Sequence, residues 1–357
     1  MMSIRRAVMN LTLLVVILAV ANPGWRMSVM AHESEAAAVS IDGDTVTRIA
    51  TSTPDATVQI VAGGDGLYRR GAGQSWARIG DAPTAGAIVF AAGAPDLLLS
   101  GDHPPCLRGG EGTGLTRSED GGVSWTAVAG ATDIRPLAVW SDTGVAIGSS
   151  CGGFMLSTDT GLTWTAIAVH EPGFEITAFT VVAAPKETQG PVILFGETSE
   201  GGSSRLRMLD LADPAAPVIS DGVHDYYGLA GLAGSGDTFA VAAIDGVWLS
   251  TDAGVTWTRR ADGLEAVVLE DDPAEVGLPA DVALDEIGVF SIAFLSGSVA
   301  GLAVGSADGL YVSSMLDGEW TPAGEITARV DQVLVSEGDN RLLLRSHDTV
   351  LEMTLDH

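Results

Sequence analysis

Positive charge is scarce in this chain. Lys186 is its only lysine, and lysine and arginine together number 18 against 46 aspartates and glutamates, a formal charge of -28 over 357 residues. Most of such a surface repels a polyanionic backbone, which disfavours nucleic acid as a partner; the same acidity serves solubility. Cysteine is limited to Cys106 and Cys151, and four tyrosines leave few candidates for a tyrosine nucleophile. Charged residues make up 18% of the chain and hydrophobic ones 46%, so a large core is available and disorder is not expected. No long helical period runs through it. The apolar run Leu11 to Ala21 (LTLLVVILAVA) is too short for a comfortable transmembrane helix.

That run reads instead as the middle of a signal peptide, with Arg5 and Arg6 before it and Ala19-Val20-Ala21 as a small-residue cleavage site. Residues 1–21 are therefore set apart, a second cut being available after Ala31; an uncleaved anchor and a twin-arginine signal are the competing readings. Cleavage after Ala21 removes Arg5 and Arg6 and no acid, taking the charge from -28 to -30. The expected location is secreted or extracytoplasmic, in a periplasm or cell envelope, with no stable membrane span after processing. Residues 22–40 lack a clear period and read as a linker, leaving 41–357 for the folded unit.

Within that unit one stretch recurs. GVWLSTDAGVTW from Gly246 is matched by GLTRSEDGGVSW from Gly114 and GFMLSTDTGLTW from Gly153, and more loosely by GLYVSSMLDGEW from Gly309 and GLYRRGAGQSW from Gly66. Short apolar runs punctuated by glycine, aspartate and proline surround these copies, the pattern of many short strands. Four-strand units can be traced through Ile88–Val128, Ile134–Ala168, Gly228–Arg259 and Phe290–Trp320. Trp164 and Trp257 lie 93 positions apart, twice a usual unit of about 40 to 50, so a unit without the motif must lie between them, built from Thr177–Ala184, Val192–Phe195 and Arg205–Leu211. Residues 265–285 form an acidic insertion. The last unit supplies only three strands, and Val46–Ala50 is expected to complete it. The expected fold is all-β, a seven-bladed β-propeller of four-stranded blades whose ring is closed by an N-terminal strand.

In each motif the aspartate can accept hydrogen bonds from its own turn, the glycine supplies a positive φ, and the tryptophan packs as an apolar anchor. The three full copies are Ser118, Asp120, Gly122, Ser124 and Trp125; Ser157, Asp159, Gly161, Thr163 and Trp164; and Ser250, Asp252, Gly254, Thr256 and Trp257. They resemble the Asp-box, or bacterial neuraminidase repeat, S-x-D-x-G-x-T-W. The resemblance covers most of residues 42–357 and implies a propeller like those of sialidases, sortilin-type receptors, photosystem II assembly factors and secreted glycosyl hydrolase-like proteins. It also implies that the boxes sit at the blade periphery as structure.

Candidate chemistry lies elsewhere. Cys106 and Cys151 each fall between the second and third strands of neighbouring units, so both emerge on one face and a disulfide is the favoured reading in an oxidising compartment. The rival is a metal site joining His103 to the two cysteines, which lacks a clear fourth ligand; no metal and no cofactor are expected. The Pro- and Gly-rich loop Ser100–Arg117 carries Asp102, His103 and Arg108 as binding candidates. A sialidase would need clustered arginines, a tyrosine and carboxylates. Asp225, Tyr226, Tyr227, Arg48, Arg135, Arg207, Arg259 and Arg329 provide the types, but the Phe/Tyr-Arg-Ile-Pro signature is absent, and no catalytic residue is assigned. The expected function is an exported, non-catalytic binding or assembly module for a protein or glycan, the alternative being an exported glycoside hydrolase of sialidase-like type.

Overall fold

The computed structural model describes residues 37–38, 46–51, 58–64, 66–71, 73–83, 86–103, 106, 112–168, 173–182, 192–199, 203–211, 218–227, 229–243, 246–264, 288–295, 301–314, 318–324, 326–336, 341–347 and 349–355. The expected signal peptide and the acidic insertion 265–285 lie outside them. Every regular element among the described residues is a β-strand, and no helix there is long and apolar enough to cross a membrane.

The strands pair in sequence order into antiparallel groups of four. The first group is Val46–Thr51, Val58–Gly63, Leu67–Gly71 and Ala77–Gly80. An eight-stranded sheet follows, made of two such groups joined by a parallel pairing of their first strands, Ala87–Ala92 and Arg135–Trp140, at Val139↔Ala91 and Trp140↔Ala92. Three more groups begin at Phe174–Val182, Gly231–Ser235 and Val289–Leu295. The last consists of Gln332–Ser336, Arg341–Ser346 and Thr349–Thr354 with Ala37–Ala38 added outside.

Second strands explain this arrangement. Ile60-Val61-Ala62, Phe239-Ala240-Val241-Ala242, Leu302-Ala303-Val304 and Leu342-Leu343-Leu344 are unbroken apolar runs, each residue 1% exposed or less. Successive residues of a strand point to opposite faces, so such runs require burial on both sides. Each sheet obtains this by stacking between two neighbours. Ile60 and Leu67 pack against Phe90 and Leu98 of the next group, and Phe154 meets Phe195 edge to face at 4.7 Å. The series returns on itself: Ile49, Val61 and Tyr68 of the first sheet pack with Leu343 and Val350 of the last. Outermost strands are exposed, as at Thr126–Ala127 and Thr258–Arg260.

Closure differs from the sequence expectation. Val46–Thr51 does not complete the last sheet; it is the first strand of the first sheet, paired with Val58–Gly63. The added strand is Ala37–Ala38, inside the stretch read as a linker, with Ala37 opposite Glu352 and Ala38 opposite Leu351. Ile49 has a side chain to bury against Val61 and Tyr68, which commits its strand to that sheet. An Ala-Ala edge strand contributes backbone hydrogen bonds and leaves no apolar pattern in the sequence.

A charged clamp spans the same junction. Arg70 Nη1 and Nη2 donate to the two carboxylate oxygens of Glu352, each at 2.8 Å, while the guanidinium also bonds Gln59 and lies 4.6 Å from the Trp76 ring centre. Both side chains are largely shielded, at 12% and 22% exposure, and the Arg70 hydrogen bonds hold the Glu352 carboxyl below its ordinary value. Replacing Arg70 with Ala is expected to cost about 1.5–3 kcal/mol in guanidinium unfolding. Glu352→Gln should do the same, and the double variant should be little worse than the weaker single; an unchanged midpoint in Arg70→Ala would show that the clamp does not hold the closure.

Candidate functional site

The three motif turns have one geometry. The serine hydroxyl donates to the aspartate Oδ1 at 2.9, 2.7 and 2.8 Å in the turns of Ser118, Ser157 and Ser250, and accepts the N–H of Gly122, Gly161 or Gly254 at 2.8 Å. The same Oδ1 accepts the N–H of Ser124, Thr163 or Thr256, while Oδ2 accepts that residue's hydroxyl at 2.6, 2.6 and 2.5 Å. Each tryptophan Nε1 donates to the glycine carbonyl at 3.0 Å. Both oxygens of every carboxylate are thus engaged within the turn.

These bonds favour the charged carboxylate. Asp120 is lowered to about 2, chiefly by the Ser124 hydroxyl and N–H. Burial pushes Asp159 up, but bonds from Thr163 and Ser157 outweigh it and bring the group to about 2. Asp252 is lowered, first by the Thr256 hydroxyl.

Two of the turns also fit one four-strand group to the group before it. A Cβ on Gly161, at φ 88°, would meet Leu99 at 2.7 Å, and one on Gly122, at φ 98°, would meet Leu67 at 2.8 Å. Arg117, on the third strand of one group, donates from Nε to the Thr160 carbonyl in the next group's turn at 3.2 Å. Val123, Leu162 and Val255, the same position in all three turns, are the exposed large hydrophobic residues among those described. A rim groove of about 680 Å³ lies beside two of the turns, lined by Arg117, Asp120, Ser124, Thr126, Val128 and Leu162. The looser copies differ. Trp320 is buried and donates to the Arg260 carbonyl of the preceding group, whereas Trp76 Nε1 is buried with no partner among the described residues.

At the other end of the third strands, Cys106 and Cys151 are joined in a disulfide with Cα atoms 5.2 Å apart, tying two neighbouring four-strand groups across 45 residues. His103, only 8% exposed, places Nδ1 3.3 Å from Cys106 Sγ. The Asp133 carboxylate accepts the Cys151 N–H at 3.4 Å. Asp102 is half-buried, its carbonyl accepting the Thr113 N–H. Arg108 lies outside the described residues.

The groups of the sialidase-type alternative are spread across the sheets. Asp225, Tyr226 and Tyr227 belong to Val218–Tyr227, the outermost strand of its sheet. Arg48 and Arg135 stand on first strands, Arg207 on a third strand, and Arg259 on an exposed fourth strand. Arg329 pairs with Asp331 at 2.6 Å.

One cluster escaped the sequence reading. Glu197 is wholly buried, with Oε2 accepting from Arg205 Nε at 2.8 Å and from Arg207 Nη1 at 3.4 Å, and the Arg205 guanidinium lies 3.9 Å from the Phe174 ring centre. It sits in the sheet that lacks the motif. The signal was available: Arg205-x-Arg207 on a strand places both arginines on one face, and a buried carboxylate needs such partners.

No protein-family model matches the chain, and no curated protein does. Solved structures share its shape. YCF48 from Cyanidioschyzon merolae is 13% identical, with a TM-score of 0.54 and coverage of 89% of this chain and 98% of that one. The GH74 enzyme of Niastella koreensis is 15% identical, with a TM-score of 0.56; the match spans 84% of this chain and 50% of the enzyme. At these identities the likeness carries the fold alone, and that fold is a β-propeller.

A group whose folded pKa is depressed contributes stability above its unfolded value and loses it as the pH falls through the folded value. For Asp120 and Asp159 that window runs from about 4 down to about 2. The denaturation midpoint should therefore fall across this range. A variant carrying asparagine at positions 120, 159 and 252 should be less stable at pH 7 and lose less between pH 4 and 2; guanidinium titrations giving parallel pH profiles would contradict this.

Proposed function

We propose that the protein is an exported, non-catalytic binding or assembly module, built as a seven-bladed propeller with Asp-box turns as its scaffold. Five four-stranded sheets and an eight-stranded sheet divisible into two groups support the count of seven. Use of the aspartate oxygens inside their own turns supports the scaffold role. The signal-like start of the sequence and the Cys106–Cys151 bond support export, since disulfides persist in oxidising compartments.

The observation that carries the reading is dispersal. The arginines and tyrosines of a sialidase-type centre stand on inner, third and outermost strands of several sheets, whereas catalysis requires them within reach of one reacting atom. The binding surface we assign is the loop face around Cys106 and Cys151, with Asp102, His103 and Arg108 contributing polar contacts to a protein or glycan.

A glycan array and a fluorogenic glycoside panel on the mature protein test both halves. Binding without hydrolysis is expected, with affinity falling at least about tenfold on Asp102→Ala plus Arg108→Ala, the loss of two charged contacts. Hydrolysis by the wild type that disappears in Arg135→Ala, on an inner strand, would replace this reading with that of an exported glycoside hydrolase.

A further inference from the structure

We infer that Cys106, Cys151 and His103 form a redox-gated site for a thiophilic divalent cation of the zinc type, closed while the disulfide is intact and opened by its reduction. The inference does not rest on the binding reading above, although it shares His103 with it. Its basis is the convergence of three soft ligand atoms, the two Sγ and an imidazole nitrogen, all within 4.8 Å of one another.

The ligands come from two neighbouring four-strand groups, His103 and Cys106 following Ala94–Gly101 and Cys151 following Ala146–Ser150. Paired strands therefore hold both sides of the site. In a tetrahedral site, metal–sulfur bonds of about 2.3 Å and a metal–nitrogen bond of about 2.0–2.1 Å set the sulfurs about 3.8 Å apart and each about 3.5 Å from the nitrogen. His103 Nδ1 already stands 3.3 Å from Cys106 Sγ. One ligand pair thus has its separation before any metal arrives, on a buried side chain. Cutting the disulfide frees the second sulfur to move the remaining distance. Among the described residues no fourth His, Cys, Asp or Glu joins the group.

The chemistry balances with a dithiol as reductant. Two electrons and two protons from the dithiol convert the Cys106–Cys151 bond to two thiols, and the dithiol becomes a disulfide. Binding of the cation then releases both thiol protons and leaves two thiolates and a neutral imidazole as ligands. Bound metal in turn holds the thiolates away from reoxidation.

The test uses the full mature protein, reduced with a phosphine under anaerobic conditions and titrated with Co2+ as a spectroscopic probe. A sulfur-to-cobalt charge-transfer band saturating at one equivalent is expected, displaced by Zn2+ and absent from the oxidised protein. His103→Ala should weaken binding at least about tenfold, the loss typical of even an outer-shell partner. Failure of the reduced wild type to give the band overturns the inference, as does a band of equal affinity in His103→Ala. Near-UV circular dichroism covers the remaining case: a reduced wild type that loses its tertiary signal and does not regain it with cobalt also overturns it.

Discussion

The structure depends on second strands that must be buried on both faces. A strand such as Phe239–Ala243 cannot satisfy that need within its own sheet, because a sheet has two faces and the run is apolar on each. It needs a neighbour before and behind. An open stack would leave an apolar face at each end; Ile49, Val61 and Tyr68 meeting Leu343 and Val350 remove those ends by joining first sheet to last. Closure is thus a consequence of the burial pattern, and the devices at the junction reinforce it: the Ala37–Ala38 edge strand and the Arg70–Glu352 clamp.

Face-to-face packing also explains where the motif turns lie and why they are so alike. Neighbouring sheets must meet at a fixed distance at their rims as well as at their centres. Gly122 and Gly161 lie against leucines of the preceding four-strand group with no room for a Cβ, so the turn must present a glycine at that point. The serine and aspartate then bind the N–H groups that a tight turn leaves unpaired, and the tryptophan closes over the glycine carbonyl. At Ser75-Trp76, where the aspartate is missing, the indole nitrogen has no partner among the described residues and the Arg70 guanidinium lies over the ring.

The motif turns and the positions of the two cysteines were legible in the sequence because each depends on local spacing. The all-β class and most strands were legible for the same reason. Two features were not. The closing strand is a pair of alanines placed by backbone pairing, and its composition does not distinguish it from the segment around it. The fourth strand of the motif-free sheet, Val218–Tyr227, carries Asp221, His224 and Asp225 among its apolar residues, a mixture that lacks the apolar pattern of the other strands; its backbone register sets Asp221 opposite Arg207 and Asp225 opposite Arg205. A register of that kind cannot be read before the pairing of the strands is known.

Five arginines among the described residues act at junctions between sheets or between strands. Arg69 reaches Asp96 of the next group at 2.7 Å, Arg70 spans first and last sheets, Arg117 holds the next motif turn, and Arg205 and Arg207 share Glu197. Every one of these is arginine, whose planar fork can hold a carboxylate with two parallel bonds or bridge a carbonyl and a hydroxyl together, as Arg117 does at Thr160. A lysine would offer one point charge at each place. In a chain with 46 acids these arginines meet carboxylates of both kinds, buried as at Glu197 and exposed as at Asp96.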